Sequence, residues 1–384
     1  TRSLIVTGVQ TCALPIFTNR VAFTTQPVIS VLDVSGNRVT NSTNDITVAS
    51  SAGNGAALSG VKTVTPTSGL STFSGLKLTG PVGDYTLTYS ATGLTSARET
   101  VTLRFGAVTQ LVITTEPVGG NAAGDALTTQ PVVKIQDADG NVVADNTDTI
   151  SIAISDAVGS LAEGTTSMAA VAGVAKFTGV IVGGDSSKTY KLNFTSGTLT
   201  SALSSGFTLT HADASKLVID TPAAGFKAGV GFTTAPAVSL RDRYDNVVTT
   251  GVNATRSIVV AANKGTLSGT KTKNLVAGAT TFGDLSLAGA IATDYSLTFT
   301  AGTFTATQSN ITLGYGAADH LSVKTQPVGG NKTGENLATQ PVVELRDRFE
   351  NVVTSNSTAT VTATISSVAG ATLADGSAAR VSGA

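Results

Sequence analysis

A proline followed by Asp-x-x-x-Asn returns four times along the chain. The copies are Pro27, Asp33 and Asn37; Pro131, Asp137 and Asn141; Pro236, Asp242 and Asn246; and Pro341, Asp347 and Asn351. Successive prolines stand 104, 105 and 105 residues apart. A period with so little drift means tandem copies of one folded unit. It overrides the two or three domains that 384 residues would otherwise suggest. Each copy is near the common domain size and long enough to bury its own core.

Charged residues make up only 13% of the chain, against a usual ~25%, so Thr, Ser, Asn and Gly must take over solvent-facing positions. With 41% hydrophobic residues the composition is that of a folded protein, not a disordered one. A formal net charge of −1, with no Lys/Arg run, leaves no electrostatic footprint for nucleic acid or anionic lipid. No apolar stretch reaches the ~18 residues that a membrane span needs, and nothing in the sequence signals oligomerisation.

Repeat boundaries are expected at short Gly/Ala/His joints ahead of a recurring apolar strand: Leu111-Val112-Ile113, Leu217-Val218-Ile219 and Leu321-Ser322-Val323. The repeats then run over 17–106, 107–211, 212–316 and 317–384. Residues 1–16 read as an artefactual leader, because Val6–Ile16 (VTGVQTCALPI) resembles the translation of a sequencing adapter. On that reading repeat 1 lacks its first strand, and Cys12, the sole cysteine, drops out, leaving no disulfide or thiol chemistry to argue. Repeat 4 is expected to stop before its Phe and Tyr strands, so that the whole is a fragment of a longer array.

Within a repeat, short runs rich in Val, Ile, Thr, Phe and Tyr alternate with Gly, Asn and Asp, and no 3.6-residue period is sustained. Repeat 2 is expected to form strands near 110–116, 130–137, 149–155, 167–171, 174–182, 189–195 and 201–209. About seven short strands with turns between them indicate a β-sandwich or small barrel. The Asp-x-x-x-Asn element reads as a hairpin, its Asp and Asn bonding nearby amides and Gly36 or Gly140 supplying a positive φ. Asp245 and Glu350 replace that glycine in repeats 3 and 4. Phe73, Phe177 and Phe282 are each followed by apolar residues at +3 and +5, an offset that calls for a bulge at Gly75, Gly179 or Asp284. Tyr85-x-Leu87-x-Tyr89, Tyr190-x-Leu192-x-Phe194 and Tyr295-x-Leu297-x-Phe299 place three large side chains on one strand face, which should be core.

The Asp137–Asn141 hairpin, the Gly173-x-x-x-Phe177 element and the later Tyr-x-Leu strand together resemble the bacterial immunoglobulin-like (Big) repeats of invasin- and intimin-type adhesins. The resemblance covers residues 17–384. It implies all-β tandem immunoglobulin-like sandwiches in an elongated array, export to the bacterial cell surface, and a stalk or adhesive role. It also implies an unknown host protein or glycan as partner, bound by regions outside this segment. Tyr85, Tyr190 and Tyr295 fall where such folds place a tyrosine corner.

Candidate chemistry is sparse. Asp137, Asp139 and Asn141 alternate oxygen ligands in the manner of a calcium loop, but Ser35, Tyr244 and Phe349 take the middle position elsewhere, and no bidentate Glu follows. Turn stabilisation is the favoured reading. His211 and His320 lie near joints without a second His or Cys nearby, and suit solvated joint residues better than ligands. No histidine lies inside complete repeat 2 to serve a Ser/His/Asp arrangement. The absence of Trp argues against a glycan platform. Lys216 and Asn310 invite comparison with intramolecular Lys–Asn crosslinks, though repeat 2 has Gln110 at the first place. The sequons at Asn193 and Asn253 matter only in a glycosylating host. The expectation is therefore a non-enzyme without catalytic, metal or cofactor residues. The alternative is an accessory glycan- or calcium-binding array of a secreted enzyme.

Overall fold

The computed structural model describes residues 2–7, 14–51, 55–155, 159–161, 164–329, 332, 334–355, 360–366 and 373. The chain divides into two compact units, Thr1–Thr210 and His211–Ala384. The fold is all-β: tandem immunoglobulin-like sandwiches whose sheets each draw strands from a single repeat. Helix among the described residues amounts to one 3-10 turn, Val252–Thr255.

Repeat 3 displays the plan. Lys216–Thr221, Ala237–Arg241 and Ala279–Thr281 form one antiparallel sheet. Thr272–Asn274, Ser257–Ala262, Ala292–Ala301 and Phe304–Leu313 form the facing sheet. A two-stranded ribbon, Thr266–Ser268 with Ser286–Ala288, closes the side. Repeats 1 and 2 follow the same plan, with ten and eleven strand segments among the described residues against nine in repeat 3, more than the expected seven or so in each. The excess arises because expected strands divide. The stretch 174–182 becomes Val174–Lys176 and Val182–Gly184, which belong to different sheets.

That division replaces the expected bulge. Leu70–Thr72 pairs with the first sheet at Val28–Ser30, whereas Lys77–Thr79 pairs with the ribbon strand Ala57–Ser59. The chain therefore crosses between sheets between Phe73 and Leu76, and Phe73, Leu76 and Leu78 are all buried. Gly75 and Gly179 turn the crossing with φ of 61° and 70°. Asp284 does not adopt a positive φ; its carboxylate accepts from the amide and hydroxyl of Thr270. A glutamine just before the recurring proline clips the crossing. Gln26 accepts from Leu76 N and donates to Leu76 O, and Gln130 does the same to Val180.

The Tyr-x-Leu strand faces the core as expected. Tyr190, Leu192 and Phe194 are fully buried, as are their counterparts in repeats 1 and 3 to within 3%. One tilted aromatic pair recurs across the sandwich: Phe73–Tyr89, Phe177–Phe194 and Phe282–Phe299, with centroids 5.5, 5.6 and 5.6 Å apart. Identical geometry in three repeats makes this pair the centre of each core.

The first strand of repeat 1 is present, contrary to expectation. Ser3–Thr7 pairs antiparallel with Val28–Leu32, and Leu4 is buried in register with Val31. Leu4 thus stands where Leu111 and Leu217 stand in their repeats, opposite Ile135 and Leu240. Leu4 and Val6, two residues apart on one face, fill the slot while Ile5 between them is exposed. Ile16–Thr18 then runs parallel to Thr102–Arg104, a position marked in the other repeats by the parallel bridges Ala122↔Thr210 and Lys227↔Gly314. Residues 8–13 of the adapter-like run, and the end of repeat 4, lie outside the described residues.

Repeat 1 carries one unsatisfied polar pair. The Tyr89 hydroxyl and Glu99 Oε2 are buried without a hydrogen-bond partner, and burial raises both their pKa values. At the same register Ser204 accepts from Leu192 N, and Gln308 bonds the backbone of Ala223 on both sides. A carboxyl whose folded pKa is raised contributes most below its unfolded pKa and loses that contribution as pH rises. Glu99→Gln is therefore expected to raise the melting midpoint of repeat 1 at pH 7 and to leave it nearly unchanged at pH 4. Phe177→Ala should cost about 3–5 kcal/mol in chemical denaturation, as truncation at the centre of a core.

Candidate functional site

The Asp-x-x-x-Asn hairpins of repeats 2 and 4 each bond the repeat before them. The turn has the same shape in all four copies, with φ of 84° at Gly36, 81° at Gly140, 68° at Asp245 and 65° at Glu350. Asp and Glu thus adopt the left-handed conformation that glycine takes elsewhere, which explains how the turn survives loss of its glycine. Within the turn, Asp137 Oδ1 accepts the amides of Asp139 and Asn141, each at 2.9 Å. That much is the expected local role.

The other half of the network reaches back into the preceding repeat. Asp137 Oδ2 accepts from Gly106 N at 2.8 Å and from Asn19 Nδ2 at 3.0 Å. Asn141 donates through Nδ2 to Gly80 O at 3.0 Å and accepts at Oδ1 from Val82 N at 2.9 Å. Between those two contacts, Pro81 O accepts from the Tyr85 hydroxyl at 2.7 Å. The tyrosine corner of repeat 1 therefore holds, from inside the sandwich, the loop that the asparagine of repeat 2 grips from outside. Asp137 is 1% exposed and Asn141 is 8% exposed, so these bonds are shielded from water.

The joint between repeats 3 and 4 repeats this chemistry. Asp347 Oδ2 accepts from Gly316 N at 2.7 Å. Asn351 donates to Gly289 O at 2.9 Å and accepts from Ile291 N at 3.0 Å. The Tyr295 hydroxyl donates to Ala290 O, the middle residue of that loop, at 2.8 Å. Within repeat 3, Asp242 accepts from Ala212 N at 2.7 Å.

The joints differ at two adjacent positions of the preceding repeat: Asn19 of the first is replaced by Ala228 in the second, and the residue after it meets the third hairpin residue differently. In the first, the Arg20 guanidinium makes two 2.7 Å bonds to the Asp139 carboxylate, and Asn19 donates to the same group at 2.7 Å. In the second, the Phe349 ring lies so close to Gly229 that a Cβ added there would stand 2.4 Å from the ring. Arg20 and Gly229 occupy corresponding left-handed positions, with φ of 65° and 72°. The third hairpin residue thus meets the same spot on its neighbour through an ion pair in one joint and through ring packing in the other.

Electrostatics agree with this geometry. Burial opposes ionisation of Asp137, yet the donors on it, Gly106 N foremost and then Asn141 and Asn19, hold its pKa at about 2. Asp347 is lowered for the same reasons, with Gly316 N leading the donors against burial. Asp139 is lowered chiefly by its bonds from Arg20. The oxygens that suggested a calcium loop are thus engaged by Arg20, Asn19, Asn141 and backbone amides. Among the described residues no group of three or more His, Cys, Asp or Glu is arranged to hold a metal ion.

The remaining candidates are scattered. His211 lies 2.9 Å from Ala212 O and 2.8 Å from the Thr250 hydroxyl. His320 sits between Asp319 and Glu350 at 3.1 and 3.3 Å. Lys216 Nζ pairs with Asp245 at 2.7 Å, and Asn310 is an exposed left-handed residue near the end of its repeat. The sequence gives no local sign of a role in the joint for Asn19, Gly80 or Gly106. A periodic signal exists: Gly80, Gly184 and Gly289 recur with the same period as the hairpin.

No family model and no curated protein matches the sequence. Among solved structures, the chain is similar to invasin, a bacterial integrin-binding protein, at 13% identity over 85% of this chain and 63% of that one, TM-score 0.27. Mouse cadherin-23 EC22–24 aligns at 9% identity over 82% and 99%, TM-score 0.32. The β-glucuronidase 3 of Bacteroides uniformis aligns at 14% identity over 53% and 24%, TM-score 0.19. The chain thus spans less than two thirds of the length of invasin and of the glucuronidase, and scores this low carry no functional argument. No helix among the described residues is long and apolar enough to cross a membrane.

Asn141→Ala should cost about 1–3 kcal/mol, because Gly80 O and Val82 N lose a shielded partner. Chemical denaturation of the full chain measures it. A carboxyl with a depressed folded pKa contributes stability that is present above its unfolded pKa and is lost as pH falls through the folded one. Asp137→Asn should therefore lower the melting midpoint at pH 6, and the gap from the unaltered chain should close between about pH 4 and pH 2.

Proposed function

We propose that this chain is a non-catalytic spacer segment of a bacterial surface or secreted adhesin, its repeats serving to hold a distal binding region away from its anchor. The observation that carries this reading is the shielded joint, in which a buried Asp and Asn of one repeat bond the main chain of its neighbour. Such a joint resists bending more than a flexible linker does, since bending breaks shielded hydrogen bonds at about 1–3 kcal/mol each when a partner is left unpaired. The chemistry joins folded units and presents no reacting group. Tandem immunoglobulin-like sandwiches joined in this way suit a spacer better than an accessory module of an enzyme.

A spacer of this kind must unfold one repeat at a time when pulled from its ends. Single-molecule stretching of the full chain should release each complete repeat in a discrete step. With 104–105 residues per period and about 3.3–3.6 Å per extended residue, each step should lengthen the chain by roughly 350 Å. A single step, or a smooth extension, would count against the spacer. Calcium at millimolar concentration should leave the melting midpoint unchanged, because the hairpin oxygens already have protein donors. A rise of several degrees would favour the accessory-module alternative instead.

A further inference from the structure

The hairpin of repeat 1 has the chemistry of the joint, with its outward groups exposed. Asp33 makes the same turn, accepting the amides of Ser35 and Asn37 at 2.9 Å each. Its Oδ2 is reached by Asn37 Nδ2, at 3.3 Å, whereas Asp137 Oδ2 takes three donors and Asp347 Oδ2 takes two. Asn37 is exposed where Asn141 and Asn351 are 8% and 7% exposed. Val34 beside it is 82% exposed, among the most exposed large apolar side chains of the chain.

These groups match what the two described joints use. An occupant must offer a backbone N–H to Asp33 Oδ2, and a carbonyl and an N–H two residues apart to the Asn37 amide. A Gly-x-Val/Ile loop braced by a tyrosine corner supplies the second pair, as Gly80–Val82 and Gly289–Ile291 do. The residue five positions ahead of the apolar first strand supplies the first, as Gly106 and Gly316 do ahead of Leu111 and Leu321. Going beyond the spacer reading, we infer that the Asp33–Asn37 hairpin is a docking surface for the trailing end of another repeat of this same kind, placed immediately N-terminal in the polypeptide. The exposed Val34 and the short Ser35 side chain would lie under the incoming repeat's left-handed residue, where Arg20 and Gly229 lie in the described joints. Besides Asp33 the nearest charge is Arg38, exposed beside Asn37 where the other hairpins carry valine.

The test extends the full chain. Residues 212–320 are fused directly to Leu4, which sets Gly316 of the added copy five positions ahead of that leucine. A second fusion carries residues 107–216, which sets Ala212 there. Hydrogen exchange is followed in peptides covering residues 28–39 of the original repeat 1. Exchange at the hairpin should slow by about tenfold in at least one fusion, and Asn37→Ala in that fusion should restore the rate of the unextended chain. In the unextended chain Asn37→Ala should change that rate by less than twofold. Unchanged exchange in both fusions overturns the inference. So does slowing that survives Asn37→Ala. Neither result bears on the stepwise extension that tests the spacer.

Discussion

An ionised carboxylate taken out of water must be met by donors, or it destabilises whatever buries it. Asp137 is 1% exposed. Its own turn supplies only part of what it needs, and the rest comes from Gly106 and Asn19. Burying the carboxylate therefore requires the preceding repeat to be folded and in place. The same demand runs through Asp347 and Gly316. Everything else about the joint follows from satisfying that one group and the asparagine beside it.

The tyrosine corner takes on a second role in this setting. Tyr85 and Tyr295 brace loops within their own sandwiches, by bonding Pro81 O and Ala290 O. Each of those loops also carries the carbonyl and amide that the next repeat's asparagine grips. Core packing and inter-repeat contact are thus connected through a single residue of main chain. Loosening the corner would loosen the joint, which is nearest-neighbour coupling in its simplest physical form.

Much of this was legible in the residues. The period, the strand composition, the buried Tyr-x-Leu face and the hairpin turn follow from spacing and side-chain chemistry, because each is local. The crossing between sheets at Phe73–Leu76 cannot be told from a bulge by sequence, since an odd apolar offset looks the same in either case. The first strand of repeat 1 is masked in the sequence by the adapter-like run that overlaps it, although Leu4 and Val6 supply the core face of a strand. The joint itself was hidden for a different reason. Asn141 and its partner loop lie about sixty residues apart, in different repeats, and the partner atoms are main chain. A motif search sees the asparagine and its turn, and assigns the whole motif to the turn.

Because the asparagine grips backbone atoms, side chains in the loop are free to change. Gly80-Pro81-Val82 and Gly289-Ala290-Ile291 differ at two of three positions and present the same carbonyl and amide. A gene built this way can lose or duplicate one whole period by recombination, and the newly adjoining repeats meet with the bonding atoms already in place. Length then becomes a trait that varies without inventing any new interface.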